Sequence, residues 1–194
     1  MKRIPITGWC QERIRQLMPD PMLCVDATAG TGRDTLFLCR ISPEEGRILA
    51  MDIQEEALTQ ARNRITEAGY KDKVRFICDG HQNMDRYLPD FPGVDLIMFN
   101  LGYLPGGDHS IATALPTTLE AVRKGLSLLR DGGLMTLMIY SGGDSGYEER
   151  DGLLPYLQSL DYCRYTVILE SFYNKPNTPP LPVYILKKGE GEKA

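Results

Sequence analysis

The chain has 194 residues, 42% hydrophobic and 25% charged, with 22 basic and 26 acidic side chains and a net charge of −4. That length suits a single domain whose sheet is covered on both faces, and the acidic balance argues against broad non-specific nucleic-acid binding while allowing a local basic patch. No run approaches the roughly 18–20 apolar residues of a membrane span, and the charged start MKRIPITGWCQERIRQLMPD lacks an apolar signal core, so a cytoplasmic protein is expected.

Trp9, Arg13, Ile14 and Leu17 stand at helical spacing before Pro19 and Pro21. They predict a short helical extension within residues 1–20, covering one edge of the fold or the ligand site. The apolar Leu23–Val25 then reaches Asp26 and a turn of small residues, Ala27–Gly32, after which Asp34–Ile41 has a helical pattern. Arg47–Ile53 reads as a second strand and Gln54–Ala68 as a helix with Ala57, Leu58, Ala61 and Ile65 on one face, closed by Gly69. Lys73–Cys78 is a third strand leading to Asp79-Gly80-His81 and a short helix to Leu88. Val94–Asn100 is almost continuously apolar, as a strand buried on both faces must be.

Leu101–Ser110 is rich in glycine and proline and is expected to be irregular. Thr113–Leu129 is amphipathic, Arg130–Gly133 is read as a tight turn, Leu134–Tyr140 as a fifth strand and Tyr147–Leu160 as a helix. Tyr162–Leu169 and Pro182–Lys187 are the last strands. The segment between them has no helical period, which makes them an antiparallel hairpin. The expected fold is α/β: a Rossmann-like, seven-stranded, mostly parallel sheet with helices on both faces and a C-terminal antiparallel hairpin. The five cysteines are scattered, with no C-x-x-C pair, and are expected to be buried reduced thiols; with only two histidines, no metal site is expected.

Strand, glycine turn, helix is an arrangement that brings a nucleotide-like ligand over a helix N-terminus. A dinucleotide loop would need a third glycine where Thr35 stands, and a P-loop would need Gly-Lys-Ser/Thr, which is absent. What remains, an acid followed by Gly30-x-Gly32, resembles the first motif of the class I S-adenosylmethionine (SAM) methyltransferases, with Thr28 where their first glycine usually sits. Asp52, about 20 residues on, is placed to accept ribose hydroxyls, with Gln54 nearby. Asp79, Gly80 and His81 end the third strand on the same rim, where Asp79 could accept from an adenine amino group; His81 is either a cofactor contact or a surface ring. Asp34, beside the turn, joins the cofactor-side candidates. Asn100-Leu101-Gly102-Tyr103 occupies the place of Asp/Asn-Pro-Pro-Tyr/Phe in amino-methylating SAM enzymes, without the prolines. An Asn100 carbonyl could aim an amine lone pair, and Tyr103 could stack on a base.

DATAGTGRDTLFL, MDIQ, DGHQNM, NLGYLPGGDH and N-x-x-N-x-PP together are similar to the MnmM (YtqB-like) bacterial methyltransferases, from about Leu23 to Lys187. The resemblance implies SAM as cofactor and a tRNA anticodon arm as partner. The reaction it implies is methylation of the aminomethyl nitrogen of wobble 5-aminomethyl-2-thiouridine. The family's cofactor contacts carry over to Asp26, Thr28, Gly30, Gly32, Asp52, Gln54 and Asp79–His81, and the substrate would be held by Asn100, Tyr103 and His109. Asp108 and His109 are candidate proton acceptors, and Asn174, Asn177, Pro179 and Pro180 match the last motif. A basic cluster of Arg123, Lys124, Lys175, Lys187 and Lys188 is expected to meet the RNA. A homodimer stays open. The competing readings are a SAM enzyme for ribosomal RNA or a small amine, a nicotinamide oxidoreductase, and a catalytically silent RNA-binding module.

Overall fold

The computed structural model describes residues 5–88, 93–102, 113–141, 143–176 and 179–189, and for 143–146 the backbone alone. The elements follow one another as α1 (Ile6–Leu17), β1 (Leu23–Asp26), α2 (Arg33–Ile41), β2 (Arg47–Asp52), α3 (Glu55–Glu67), β3 (Val74–Cys78), β4 (Val94–Asn100), α4 (Leu115–Leu128), β5 (Leu129–Ile139), α5 (Gly143–Gln158), β6 (Tyr165–Leu169) and β7 (Leu181–Lys187). Short 3-10 segments lie at Lys71–Lys73 and His81–Tyr87. The strands form one sheet in the order β3-β2-β1-β4-β5-β7-β6. The first five are parallel, and β7 enters antiparallel between β5 and β6. This is the expected seven-stranded architecture with its terminal hairpin.

Period-two alternation sends neighbouring residues to opposite faces. Val25, Met51, Ile97, Phe99, Met135, Leu137 and Ile139 pack with α4 and α5 through Ala121, Val122, Leu126, Leu153 and Leu157. Cys24, Ile48, Leu96, Met98 and Leu134 face the other way, onto Ile14 and Met18 beside α1, Phe37 and Leu38 of α2, and Ile65 of α3. Because β1 and β4 touch both layers, they read as unbroken apolar runs.

Three expectations change. The helix α1 begins at Ile6 and buries Ile6, Cys10 and Ile14, while Trp9 stays 41% exposed. It therefore covers the site's cleft, as expected, and is in addition a packed layer of the core. The strand β5 already starts at Leu129, paired with Val94, and Arg130–Gly133 bulges out before pairing resumes at Leu96↔Leu134. Glycines and an aspartate make the segment look like a turn, and it is one, set inside a ladder. Cys10, Cys24 and Cys39 are buried, and burial raises their thiols to about 11, 12 and 11. Cys78 and Cys163 are exposed, against the expectation for all five.

On the rim away from the glycine turn, Asp95 Oδ2 accepts the backbone N–H groups of Met22 and Leu23 at 2.9 and 2.8 Å, while its other oxygen meets Arg130 Nε. The start of β1 is thus fixed to β4 by a buried carboxylate whose partners are all present. Among the described residues, no helix is long and apolar enough to cross a membrane, and no group of three or more His, Cys, Asp or Glu side chains could hold a metal ion.

Candidate active site

Parallel strands end together, so Asp26, Asp52, Cys78 and Asn100 share one rim. The turn after β1 is tied to both neighbouring strands: Ala27 N–H donates to Met98 O at 2.9 Å and Ala29 N–H to Met51 O at 2.8 Å. Gly30 and Gly32 take φ of +49° and +78°. Gly32 also fits against α3, where a Cβ would lie 2.8 Å from both Cα and Cβ of Ala61. Only glycine meets both demands at position 32.

Asp26 is 1% exposed and serves the turn from beneath. Its Oδ2 accepts from Thr35 Oγ1 at 2.6 Å and its Oδ1 from Thr28 N–H at 3.3 Å. Burial raises its pKa to about 7, the nearby Asp34 adding to the rise, while the Thr35 hydrogen bond opposes it. Asp52 gives one oxygen to Gly30 N–H at 2.8 Å and the other to Gln54 N–H at 2.9 Å. Each oxygen keeps lone-pair capacity for a further donor such as a ribose hydroxyl. Glycine turn, strand-end carboxylate and nearby acids form a close-approach backbone and a set of acceptors that fit a cationic nucleoside such as SAM.

At the end of β4, Asn100 N–H donates to Thr28 Oγ1 at 2.7 Å, and Asn100 Nδ2 donates to Asp34 Oδ2 at 3.2 Å. The other Asp34 oxygen accepts from Gln11 Nε2 of α1 at 3.0 Å. Thr28 thus stands at a glycine's place for a local reason: its hydroxyl receives a backbone donor that would otherwise lack one. Thr28→Ala should cost about 1–3 kcal/mol, the penalty of an unsatisfied backbone donor, and Thr28→Ser should restore most of it. Chemical denaturation of the two variants checks this, and equal losses would refute the role of the hydroxyl. A narrow cleft open to solvent lies by this group between α1 and the sheet, with Gln11, Asp34, Asn100, Met138 and Tyr184 on its wall.

Asp79 is committed to its own turn. It accepts from Asn83 Nδ2 at 2.8 Å, Tyr87 Oη at 2.8 Å and Gly80 N–H at 2.7 Å. The Asn83 bond leads in holding its pKa below the usual carboxylate range. The His81 ring is buried and not a surface ring: it packs edge-on to Phe99 at 5.8 Å between centroids, close to the Ala27 backbone, and its Nε2 has no hydrogen-bond partner among the described residues. Burial pulls its pKa down to about 4, so it is neutral at pH 7. It therefore supports the turn from within the core. Tyr103, Asp108, His109 and Asn177 lie outside the described residues.

The expected basic cluster does not assemble. Lys187 and Lys188 sit on the far rim, with Lys187 Nζ bonded to Leu129 O and Lys188 Nζ bonded to Tyr162 O at 2.7 Å. Lys124 on α4 pairs with Asp85 and Glu120 at 3.2 and 3.0 Å, and Arg123 stacks over Tyr156. Lys175 alone of the five follows β6 onto the rim of the site.

Three polar groups escaped the sequence reading. Gln11 is one. Another is Tyr140, just past β5, whose pKa is raised by burial and by the neighbouring Asp34 and Cys10. The third is Glu149 of α5, 3% exposed, which accepts from Thr118 Oγ1 at 2.6 Å and Thr113 Oγ1 at 2.8 Å. Thr113 Oγ1 in turn accepts from Gly102 N–H at 2.8 Å, and Thr113 N–H donates to Gly102 O at 3.0 Å. All three join elements far apart in the chain, which no local pattern marks.

The family model described as "Putative rRNA methylase" matches residues 48–186. Among solved structures, a putative rRNA-methylase from Clostridium thermocellum is 41% identical with a TM-score of 0.89, over 96% of this chain and 98% of that one. A putative methyltransferase from Streptococcus mutans, solved in complex with SAH, is 34% identical with a TM-score of 0.83, over 96% and 99%. A chloroplastic tRNA (mnm(5)s(2)U34)-methyltransferase from Arabidopsis thaliana is 33% identical over 172 residues, 84% of this chain; the match spans 62% of that protein's length. With most of its length matched by the model and near-complete overlap with these structures, the chain belongs to the family described as putative rRNA methylases.

Proposed function

We propose that the chain is a SAM-dependent tRNA methyltransferase that methylates the aminomethyl nitrogen of 5-aminomethyl-2-thiouridine at the anticodon wobble position, giving the 5-methylaminomethyl nucleoside. The observation that carries an amine acceptor is Asn100: its Nδ2 is turned to Asp34, so its carbonyl oxygen is the end directed away from that carboxylate. The tRNA acceptor is supported by the likeness to the chloroplastic enzyme named for mnm(5)s(2)U34. SAM, when bound, supplies a methyl carbon activated by a sulfonium, so that transfer to an amine leaves S-adenosylhomocysteine and a proton.

The chain's own residues bind and align. Asp52 offers its remaining lone pairs to the ribose, and the Gly30–Gly32 turn brings backbone close to the ligand. Asn100 Oδ1 accepts a hydrogen bond from the acceptor amine and directs its lone pair, a contribution of alignment. The amine must be neutral to react, and desolvation at the rim favours that form. Carboxylates around the turn provide electrostatic complement to a cationic donor.

Methyl transfer from labelled SAM to tRNA from cells lacking the activity, followed by nucleoside analysis, tests the proposal. Conversion of the aminomethyl wobble uridine to its methylaminomethyl form is expected. Transfer to ribosomal RNA or a small amine in its place overturns the substrate, and absence of SAM binding overturns the cofactor.

A further inference from the structure

We propose that Asp34 and Gln11 are positioning residues that decide which end of the Asn100 amide meets the acceptor amine. The inference rests on the reading of Asn100 as the group that orients that amine.

An asparagine amide is nearly isosteric about its last torsion: a half-turn exchanges a two-proton donor for an acceptor with almost no change of shape. Packing alone therefore selects the orientation weakly. The bond from Asn100 N–H to Thr28 Oγ1 fixes where the residue sits and leaves that half-turn undecided. A selecting partner must have a single hydrogen-bonding sense. An ionised carboxylate has it, because it only accepts. Asp34 Oδ2 lies 3.2 Å from Asn100 Nδ2, and a half-turn would set two acceptor oxygens against each other at that distance.

Asp34 in turn needs holding. It stands in the first turn of α2, half-buried, and its second oxygen accepts Gln11 Nε2 at 3.0 Å. Gln11 comes from α1, whose neighbouring Cys10 and Ile14 are buried, so its backbone is fixed by the core. The chain of contacts is Gln11 to Asp34 to Asn100, and it crosses from one helix layer to the strand end. Asp34 thereby has a use other than cofactor contact, and α1 becomes part of the reacting end of the molecule.

A donor–acceptor exchange tests this. Asn100→Asp alone faces Asp34 with a second carboxylate, and kcat should fall by at least about tenfold, the scale of a misaligned reacting group. Asp34→Asn combined with Asn100→Asp puts the donor on residue 34 and an acceptor on residue 100. It should recover most of that loss. Asp34→Ala should lower kcat by about 10- to 100-fold, a larger factor than any loss of calorimetric affinity for SAH, and Gln11→Ala should show a smaller fall of the same kind. Each variant is compared with wild type for thermal unfolding. A double variant no faster than Asn100→Asp overturns the proposal, as does an Asp34→Ala variant whose SAH affinity falls in step with kcat. The underlying reading fails separately: Asn100→Ala would then turn over at the wild-type rate.

Discussion

Gly32→Ala should destabilise the fold by about 2–4 kcal/mol and weaken SAM binding, whereas Gly69→Ala should cost only about 1 kcal/mol and leave binding unchanged. The two glycines have nearly the same backbone, with φ of +78° and +81°. A Cβ at Gly69 meets nothing within 4 Å, while one at Gly32 falls 2.8 Å from Cα and Cβ of Ala61. The Ala61 atoms belong to a fully buried residue on α3, and backbone cannot rotate aside as a long side chain can. The helix or the turn must move, and the turn carries Gly30 N–H to Asp52. Denaturant unfolding and calorimetry on the pair separate conformational cost from collision. Equal losses in the two variants would show that the contact with α3 does not matter.

The second large effect is a pH dependence centred on Asp26. Its pKa in the folded protein is about 7, raised chiefly by burial, against an ordinary carboxylate value of 3.8. Between these values the folded state holds a proton that the unfolded chain has lost, so stability falls as pH rises from about 4 to about 7 and is level beyond. Integrated over that window, the loss is about 4 kcal/mol. Asp26→Asn keeps the shape without the charge, and its hydroxyl neighbour Thr35 can either donate or accept. The variant should therefore lose this slope and gain on wild type toward pH 7. Unfolding free energies measured from pH 4 to 8 decide the matter. Parallel curves for the two proteins would rule Asp26 out as the source.

Much of the architecture was legible because it follows from local chemistry. Alternating apolar runs, Pro43, Gly46 and Gly69 bound the elements, and a glycine turn between strand and helix located the rim. The site was legible where a residue's place in a strand fixes its rim position, as for Asp52, Asp79 and Asn100. It was not legible where a side chain's partner is remote. Nothing near His81 announces that its ring goes inward to Phe99, and nothing near Gln11 or Glu149 names Asp34 or the Thr113–Thr118 pair. The basic residues illustrate the same limit: Lys187 and Lys175 are close in sequence, yet β7 runs from one rim to the other and separates them. A helix face is equally ambiguous from spacing, and Trp9 shows it, since its indole reaches outward to Glu170 at 2.6 Å while Cys10 turns inward.

The placement of β7 between β5 and β6 also orders events during synthesis. Tyr165–Leu169 leaves the ribosome before Leu181–Lys187, yet its hydrogen-bonding neighbour in the sheet is that later segment. Until it arrives, β6 has no ladder to join, and Glu170 just beyond it has no fixed place. Glu170 is the residue that receives Trp9 and Arg13 of α1. The helix α1 thus waits for β7 before this part of its seat exists. Long sequence separation of this kind slows folding, since the loop must close before its contacts return anything. The nascent chain would carry its glycine turn and first four parallel strands well ahead of the Glu170 contacts that receive Trp9 and Arg13.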